Sequence, residues 1–279
     1  MFDQQTHGLG IPALGFGTFE LTGRAAVSAV GHALAVGYRH LDTAAMYGNE
    51  AEVGEALAAS GVPRDQVWLT TKVWPDDFRD GALQRAAEAS VQKLGTEPDL
   101  LLLHWPSRRV PLEETIGALN EARRRGLARQ IGVSNFTTGL LEAAWSCSEA
   151  PLIVNQVEYH PYLDQRAILG ALHARGMILT AYAPLAKGQV HRDPLLREIA
   201  DRHGKAPGQV ALRWLIQQEG VCAIPRSSQR ANIEANFAVF DFALSADEMA
   251  RIGGLARPDG RLVSPASVAP DWDPPPSRG

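Results

Sequence analysis

The chain has 279 residues, a length that suits one or two domains and that a (β/α)8 barrel fills as a single domain. Hydrophobic residues make up 45% and charged residues 21% of the sequence, which is typical of a globular protein and excludes a disordered one. The 27 Lys and Arg residues against 31 Asp and Glu give a net charge of −4, so the chain lacks the cationic surplus of a nonspecific nucleic-acid-binding protein, and no nucleic acid is expected as a partner.

No segment of the sequence predicts export or insertion into a membrane. Residues 1–10 lack the cationic start and the apolar run of a secretory signal. The longest aliphatic run, at residues 100–103, is far shorter than the roughly 18 residues of a membrane helix. The two cysteines, Cys147 and Cys222, have no metal-ligand spacing, and we interpret both as buried thiols. A cytoplasmic protein without a membrane partner is therefore expected.

Short apolar or β-branched runs alternate along the chain with longer segments of helical periodicity. This alternation is typical of βα units, in which helices connect parallel strands. Eight strands are predicted, at residues 15–19, 38–42, 68–73, 100–104, 130–134, 153–158, 178–183 and 221–225. Apolar residues recur at intervals of three and four in the segments between them. Helices are predicted there, at residues 25–36, 50–60, 82–94, 112–125, 140–146, 165–175 and 208–218.

Glycines near the ends of these helices favour a regular winding of the chain. The six are Gly37, Gly61, Gly95, Gly126, Gly176 and Gly220. The competing architecture is a doubly wound open sheet, which often has a G-x-G-x-x-G turn that GFGT at residues 15–18 does not complete. We therefore predict a (β/α)8 barrel that forms a single domain over residues 1–279, with a short N-terminal β-hairpin and with its site at the C-terminal ends of the strands. Residues 258–279, rich in Pro, Ser and Asp, are predicted to form a C-terminal loop over that site.

Side chains suited to acid–base chemistry fall at the ends of the predicted strands. Asp42 ends the second strand, Lys72 lies near the end of the third, His104 closes the fourth, and Tyr47 follows in the second loop. A tyrosine with a pKa near 10 is a poor proton donor at neutral pH unless a cation such as Lys72 stabilises its phenolate. Asp42 would keep Lys72 charged, and a neutral His104 could orient a substrate carbonyl by a hydrogen bond.

Strand alternation predicts which of these side chains can meet. Tyr38, His40 and Asp42 would share one face of their strand, as Leu102 and His104 would on theirs. Three strands could then converge on one point. Taken singly, each residue also has a structural interpretation, as a helix cap, a solvated amine, a core histidine or a packed aromatic ring.

The order of these residues resembles the signature of the aldo-keto reductases. The matching motifs are GYRHLDTA at residues 37–44, YGNE at 47–50, TTKVW at 70–74, LHWP at 103–106, IGVSNF at 131–136 and NQVE at 155–158. They follow the order and the spacing of that family and cover nearly the whole chain. The resemblance implies an NADPH-dependent carbonyl reductase on a (β/α)8 barrel, with Tyr47 as general acid and His104 orienting the carbonyl. Lys72 and Asp42 would tune the acid.

The same resemblance implies a site for a nicotinamide dinucleotide. Its nicotinamide end would be bound by Thr18, Phe19, Asp42, Ser134, Asn135, Gln156, Tyr182, Ala183 and Leu185, and its adenosine phosphate end by Ile224, Pro225, Arg226, Ser227, Ser228, Asn232 and Asn236. Arg226 and Ser227 would contact the 2′-phosphate, unless this segment is an ordinary polar helix start. Arg226, Asn232, Ala235 and Ala183 replace the family's usual Lys, Arg, Glu and Ser. Because Arg226 retains a cation, NADPH is expected rather than NADH.

The resemblance also implies the kind of substrate. Phe19, Tyr47, Trp74, His104 and Trp105 would border an apolar mouth, although core packing is an alternative role for these aromatic residues. Small α-dicarbonyls such as methylglyoxal, diketo sugar acids such as 2,5-diketo-D-gluconate, and aromatic aldehydes would fit this mouth, whereas steroids would not. The start at residues 11–15 and the ending at 261–273 resemble bacterial members of the family that reduce diketo sugar acids. A monomer is expected.

Two other classes of function were weighed against the reductase. The first is a catalytically silent nucleotide-binding or regulatory protein on the same barrel, which the presence of Tyr47, Lys72 and His104 argues against. The second is an isomerase or a metal-dependent phosphate-ester hydrolase. No metal is expected, because His40 and His160 have no ligand partners at suitable spacing.

Overall fold

The computed structural model of the chain describes residues 6–7 and 10–274. A short antiparallel hairpin of β1 (Thr6–His7) and β2 (Ile11–Pro12) precedes the central sheet, as predicted. The sheet contains eight parallel strands. They are β3 (Phe16–Gly17), β4 (His40–Asp42), β5 (Trp68–Val73), β6 (Leu100–Leu103), β7 (Gln130–Ser134), β8 (Leu152–Glu158), β9 (Ile178–Tyr182) and β10 (Val221–Ala223). Each predicted strand is found, with bounds that differ by at most a few residues.

The parallel sheet closes on itself. Its strands pair in chain order from β3 to β10, and Leu14 then pairs with Ala223 in a parallel bridge. The amide of Gly15 donates to the carbonyl of Ala223 (2.8 Å), and the amide of Gly17 donates to the carbonyl of Pro225 (3.0 Å). The predicted (β/α)8 barrel is therefore confirmed. Its closure places the loops after β3 and β10 side by side.

Helices surround the barrel. They are α1 (Gly23–Val36), α2 (Glu50–Ala59), α3 (Ala82–Leu94), α4 (Leu112–Arg124), α5 (Thr138–Cys147), α6 (Arg166–His173), α7 (Pro194–His203), α8 (Pro207–Ile216), α9 (Arg230–Phe237) and α10 (Ala246–Gly253). Helices α7, α9 and α10 are not among the predicted helices. All six predicted glycines have positive φ, but Gly220 turns the chain into β10 rather than capping α8. Within the described residues, no helix combines the length and the apolar character needed to cross a membrane.

Two of the missed helices carry local signals at their first residues. Asp193 caps α7 by accepting hydrogen bonds from the amides of Leu195 and Leu196. Ser245 and Glu248 form a capping box at α10, each accepting from the amide of the other. Such caps satisfy amides that have no partner within the helix. These cap residues are sequence signals from which the starts of both helices can be predicted.

The interior of the barrel is apolar at the end near the hairpin. A cluster of buried apolar residues fills it there: Ile11, Leu100, Leu102, Ile153, Val154, Ile178 and Cys222. Leu102 thus points into the barrel, as the predicted alternation requires. The prediction for Tyr38 was wrong, because this residue precedes β4 and its ring packs against Phe237 of α9 (ring centroids 4.8 Å apart). The prediction for Cys147 was also wrong, because this last residue of α5 is partly exposed.

The segment after α10 forms an ordered loop at the rim of the barrel. Asp273 accepts hydrogen bonds from the amide and the hydroxyl of Thr138 (2.9 and 2.8 Å). The ring of Trp272 lies against the ring of Trp105, with centroids 6.2 Å apart. Since Trp105 directly follows His104, this segment covers the rim beside the predicted site. Residues 275–279 of the predicted tail lie outside the described residues.

A glycine in β7 tests the packing inside the barrel. A Cβ atom on Gly132 would lie 2.6 Å from the carbonyl oxygen of Val154 and 2.9 Å from the side chain of Leu102. We expect Gly132→Ala to lower the free energy of unfolding by about 1–3 kcal/mol, because backbone must shift to admit the methyl group. Urea denaturation followed by circular dichroism measures this change.

The matched control is Gly117→Ala in α4, where a Cβ atom would meet nothing within 4 Å. Alanine favours a helix interior by up to about 1 kcal/mol over glycine, so this variant should be more stable than the wild type. Equal stability of the two variants would contradict the close packing at Gly132.

Candidate active site

Four polar side chains meet at the C-terminal ends of β4, β5 and β6, and we call Asp42, Tyr47, Lys72 and His104 the polar quartet. Lys72 is fully buried. Its ammonium group donates to Asp42 Oδ1 (2.5 Å), to the carbonyl of Thr43 (2.8 Å) and to the hydroxyl of Tyr47 (3.3 Å). The ring of Tyr47 lies 5.6 Å from that of His104. The structure therefore brings the four residues together.

Asp42 is held by more than its ion pair. Its second oxygen, Oδ2, accepts a hydrogen bond from the side-chain amide of Gln156 in β8 (2.7 Å). Its backbone carbonyl accepts from the hydroxyl of Thr18 (3.0 Å). Because both carboxylate oxygens have donors, the buried charge is compensated and its orientation toward Lys72 is set.

The surroundings of Lys72 and Tyr47 keep both groups protonated at neutral pH. Burial lowers the pKa of Lys72, but Asp42 and Tyr47 act against burial, and the net pKa is raised. Burial of its hydroxyl raises the pKa of Tyr47, and the opposing effect of Lys72 is smaller. Lys72 was expected to stabilise the phenolate, and the net direction shows that burial outweighs this effect. Tyr47 is thus a neutral phenol with a cation beside the oxygen that would carry charge after proton transfer.

His104 has an environment that disfavours its charged form. Burial and the nearby Lys72 hold the pKa of His104 well below its ordinary value. Nδ1 of His104 is buried without a hydrogen-bond partner among the described residues. A proton on Nε2 would leave Nδ1 as an unpaired acceptor, which is less costly than an unpaired donor. This tautomer presents an N–H group to a ligand.

Aromatic residues flank the polar quartet on two sides. The ring of Phe19 lies 5.1 Å from that of Tyr47, and the ring of Trp74 lies 5.1 Å from that of His104. Phe19 is 48% exposed, so it forms part of an open mouth. Trp105 differs, because it is only 5% exposed and packs against Trp272 of the C-terminal segment. A contact of Trp105 with substrate remains a prediction.

Most residues predicted to hold the nicotinamide cluster beside the quartet. The hydroxyl of Ser134 donates to the carbonyl of Gln156 (2.7 Å). The side-chain amide of Asn135 donates to the carbonyl of His104 (3.0 Å), and its oxygen accepts from the hydroxyl of Tyr182 (2.8 Å). Ala183 follows with a positive φ of 49°, and Leu185 is half-buried. Neighbouring strands β7, β8 and β9 thus deliver these groups to one place.

The predicted phosphate-binding residues lie between β10 and α9. Ile224 and Pro225 are buried at the seam of the barrel, and Arg226 and Ser228 are exposed. The hydroxyl of Ser227 accepts from the amide of Gln229 (3.1 Å).

Farther along α9, Asn232 is exposed and donates to the side-chain oxygen of Gln229 (3.4 Å), and Asn236 is half-buried. The segment at Arg226–Ser228 therefore offers a cation and hydroxyl groups next to the first turn of α9.

Two contacts near the site were missed in the sequence analysis. The guanidinium of Arg226 donates to the carbonyls of Phe19 (3.0 Å) and Glu20 (3.2 Å), which joins the loops after β3 and β10. The side-chain amide of Asn49 donates to the carbonyls of Thr18 and Leu21 (both 2.8 Å). The position of Asn49 in the YGNE motif was the only sequence signal for the second contact.

The two histidines considered as metal ligands make other contacts. His40 Nδ1 lies 3.2 Å from the carbonyl oxygen of Pro12, and His160 Nε2 lies 3.0 Å from Glu158 Oε1. Across the described part of the chain, no group of three or more His, Cys, Asp or Glu side chains is placed to hold a metal ion.

Comparison with known proteins assigns the family. The profile of the Aldo/keto reductase family matches residues 10–257. The chain belongs to this family. Among its relatives, methylglyoxal reductase DkgB of Escherichia coli O157:H7 is 42% identical over 269 residues, which span 95% of this chain and 100% of that protein.

Solved structures of this family superimpose closely on this reductase. The crystal structure of a candidate 2,5-diketo-D-gluconic acid reductase B has a TM-score of 0.94 and 53% identity, with 96% of each chain covered. An aldo-keto reductase of Bombyx mori in complex with NADP has a TM-score of 0.86 and 32% identity, covering 94% of this chain and 95% of that one. The resemblance of the chain ends to bacterial reductases of diketo sugar acids agrees with these matches.

The donor set of this aldo/keto reductase fits a nicotinamide dinucleotide. A hydroxyl group on Ser134 and side-chain amides on Asn135 and Gln156 are the groups that a carboxamide would pair with. Because the side-chain N–H group of Gln156 donates to Asp42, its side-chain oxygen Oε1 is left as an acceptor. The ring of Tyr182 supplies a flat apolar surface, and Arg226 supplies a cation for a phosphate.

The stability of the reductase should depend on His104 below neutral pH. Because the pKa of His104 is lowered in the folded protein, the unfolded chain binds a proton there first as the pH falls. The contribution of His104 is therefore complete above its ordinary pKa of 6.5 and is lost below that value. We expect the free energy of unfolding to fall more steeply with decreasing pH in the wild type than in His104→Gln, by up to about 1.4 kcal/mol per pH unit.

Urea titrations from weakly alkaline to weakly acidic pH measure this difference. His40, whose pKa is also lowered by burial, remains in both proteins and so does not contribute to the difference. An identical slope in the two proteins would contradict a neutral, buried His104.

Proposed function

We propose that this aldo/keto reductase reduces small aldehydes and ketones with NADPH, and that Tyr47 protonates the carbonyl oxygen. The observation that carries the proposal is the buried ammonium group of Lys72, which contacts Asp42 and Tyr47 at once. An ion pair of this kind serves no packing purpose that apolar residues could not serve as well. It does, however, place a fixed positive charge beside the one hydroxyl that must lose a proton.

The residues of this chain would bind the cofactor, orient the substrate carbonyl and protonate its oxygen. Ser134, Asn135 and Gln156 would hold the carboxamide of the nicotinamide, with its ring against Tyr182. Bound NADPH supplies the hydride that reduces the carbonyl carbon. Tyr47 would give its proton to the carbonyl oxygen, and Lys72 would stabilise the phenolate until solvent returns the proton.

His104 has a separate role in the proposal. Its neutral imidazole donates a hydrogen bond from Nε2 to the carbonyl oxygen and so aligns the carbonyl group with Tyr47. A charged imidazole would repel Lys72 and compete with Tyr47 as the acid. The lowered pKa of His104 supports this division of roles.

The open mouth at Phe19 and Trp74 suits substrates of low bulk. Methylglyoxal, 2,5-diketo-D-gluconate and aromatic aldehydes are the proposed substrates. The names of the relatives support the first two, since DkgB is a methylglyoxal reductase and the close structural neighbour is a candidate 2,5-diketo-D-gluconic acid reductase B. Aromatic rings beside the quartet would accept a flat aldehyde by stacking.

Replacing the proposed acid tests the chemistry. Tyr47→Phe removes the hydroxyl and little volume, so we expect turnover of methylglyoxal to fall at least about a hundredfold, the usual scale for a general acid. The rate is measured from the loss of NADPH absorbance, and NADPH binding from protein fluorescence. Retained binding with lost turnover is the expected pair of results, whereas full activity would reject Tyr47 as the proton donor.

Replacing the proposed phosphate contact tests the choice of cofactor. Arg226→Gln removes a charged donor, and such hydrogen bonds contribute about 1.5–3 kcal/mol, so the Kd for NADPH should rise at least about tenfold. The Kd for NADH, which lacks the 2′-phosphate, should rise less, because it reports only the loss of the contacts from Arg226 to the carbonyls of Phe19 and Glu20. Arg230→Gln, which removes a neighbouring exposed cation, is the matched control for net charge. Equal weakening of both cofactors by Arg226→Gln would contradict a contact to the 2′-phosphate.

A further inference from the structure

A second buried carboxylate lies at the rim of the barrel, and the proposed chemistry does not use it. Glu158 is the last residue of β8 and is fully buried. It is two residues beyond Gln156, so the two side chains share a face of the strand. Its register partner on the neighbouring strand is Tyr182. Glu158 therefore lies directly beside the residues proposed to hold the nicotinamide.

The partners of Glu158 come from the C-terminal segment. Oε1 accepts a hydrogen bond from the amide of Leu262 (2.7 Å), and Oε2 accepts one from the amide of Val263 (2.9 Å). Arg261 Nη1 lies 3.8 Å from Oε2, and His160 Nε2 lies 3.0 Å from Oε1. A buried carboxylate needs such donors to offset the loss of water. Glu158 thus fixes a stretch of chain that lies 104 positions later in the sequence.

Residues 261–263 are connected to the substrate mouth by contacts through the rings of Trp272 and Trp105. The guanidinium of Arg261 lies 3.5 Å from the centroid of the Trp272 ring. The indole N–H of Trp272 donates to the hydroxyl of Ser264 (3.0 Å), and the ring rests against Trp105. Trp105 directly follows His104. A continuous series of contacts therefore joins Glu158 to the aromatic wall of the mouth, formed by Trp105 and Trp272, next to the polar quartet.

Packing alone does not fix this wall. A cavity of about 220 Å³ lies between the C-terminal segment and α6, and its lining residues include Trp272, Arg261, Phe136, Val157 and Ile168. Since that side of Trp272 is incompletely filled, the ring can shift into the cavity if its polar anchors are removed. Four anchors are the amides bound by Glu158, the carbonyl of Leu262 that accepts from Lys187 (3.3 Å), the carbonyl of Ala269 that accepts from Arg108 (2.8 Å), and the Asp273–Thr138 contact.

We propose that Glu158 is a positioning residue for substrate selection: its carboxylate docks residues 261–263 so that Arg261 and Trp272 complete the wall of the substrate mouth. The wall discriminates by length, because an extended diketo sugar acid reaches past His104 to the rim, whereas methylglyoxal does not. The part of this inference that concerns substrate selection rests on the proposed carbonyl reduction. The docking of residues 261–263 by Glu158 does not depend on that reaction.

The test replaces the carboxylate with its isosteric amide. In Glu158→Gln one of the two oxygen acceptors becomes an N–H donor that faces another donor. We expect amide hydrogen exchange at Leu262 and Val263 to become at least about tenfold faster, as for any lost protecting bond of about 1.4 kcal/mol. The kcat/KM for 2,5-diketo-D-gluconate relative to methylglyoxal should fall at least about tenfold, with the loss in KM.

Glu248→Gln is the matched control. Glu248 is also a buried carboxylate that accepts from a backbone amide, Ser245 N (2.8 Å), and lies beside a histidine, with His203 Nε2 3.1 Å away. Its place in α10 is outside the site, so Glu248→Gln should leave the substrate ratio unchanged even if it destabilises the protein. A shift of the ratio in Glu248→Gln as large as in Glu158→Gln would reduce the effect to general destabilisation and overturn the proposal.

A second variant keeps the proposal testable if Glu158→Gln does not fold. Trp272→Ala should lower the substrate ratio in the same direction while Leu262 and Val263 keep their slow exchange. Unchanged exchange in Glu158→Gln would overturn the docking, and faster exchange with an unchanged ratio would overturn the role in selection. If the wild type reduces no carbonyl while Glu158→Gln still exchanges faster, the proposed function fails and the docking stands.

Discussion

The ammonium group of Lys72 has no access to water, and the arrangement of the rim follows from that constraint. A buried cation requires an anion and further acceptors, and Asp42, Thr43 and Tyr47 supply them. Asp42 in turn requires a donor for its second oxygen, which comes from Gln156 on the opposite side of the barrel. One charge therefore links β4, β5 and β8. The same charge distinguishes Tyr47 among the described tyrosines, because its hydroxyl accepts a hydrogen bond from a buried ammonium group.

Polar contacts hold two of the loops above the barrel in place. Asn49 binds the loop that carries Tyr47 to the carbonyls of Thr18 and Leu21. Arg226 binds the carbonyls of Phe19 and Glu20, so the segment next to α9 supports the ring that lies on Tyr47. Contacts of this kind fix direction as well as distance. A rim built in this way can keep a half-exposed aromatic ring in place without a large apolar patch.

Strand alternation and short motifs predicted the barrel and the convergence of the quartet, because each strand is recognised from adjacent residues and parallel strands in a barrel bring their C-terminal ends to one rim. The errors arose where a distant element decided the outcome. Tyr38 faces α9, a helix whose apolar face is too small to be seen in the sequence. The contact of Trp105 with Trp272 of the C-terminal segment was likewise not indicated by the sequence. The docking role of Glu158 was equally hidden, since its donors lie at the other end of the chain. Local pattern identifies the elements, whereas long-range contacts assign the partners of individual side chains.

The seam between the strand segments at Leu14 and Ala223 has a consequence for synthesis on the ribosome. Until β10 has emerged, the nascent sheet has two open edges, and unpaired edges are prone to association with other chains. The segment proposed to bind the 2′-phosphate, at Arg226–Ser228, follows the closing strand directly. A polypeptide that stops short of β10 would lack both the seam and that segment. Given the proposed role of that segment, retention on an immobilised 2′,5′-ADP resin would report that translation has passed β10 and that the ring has closed.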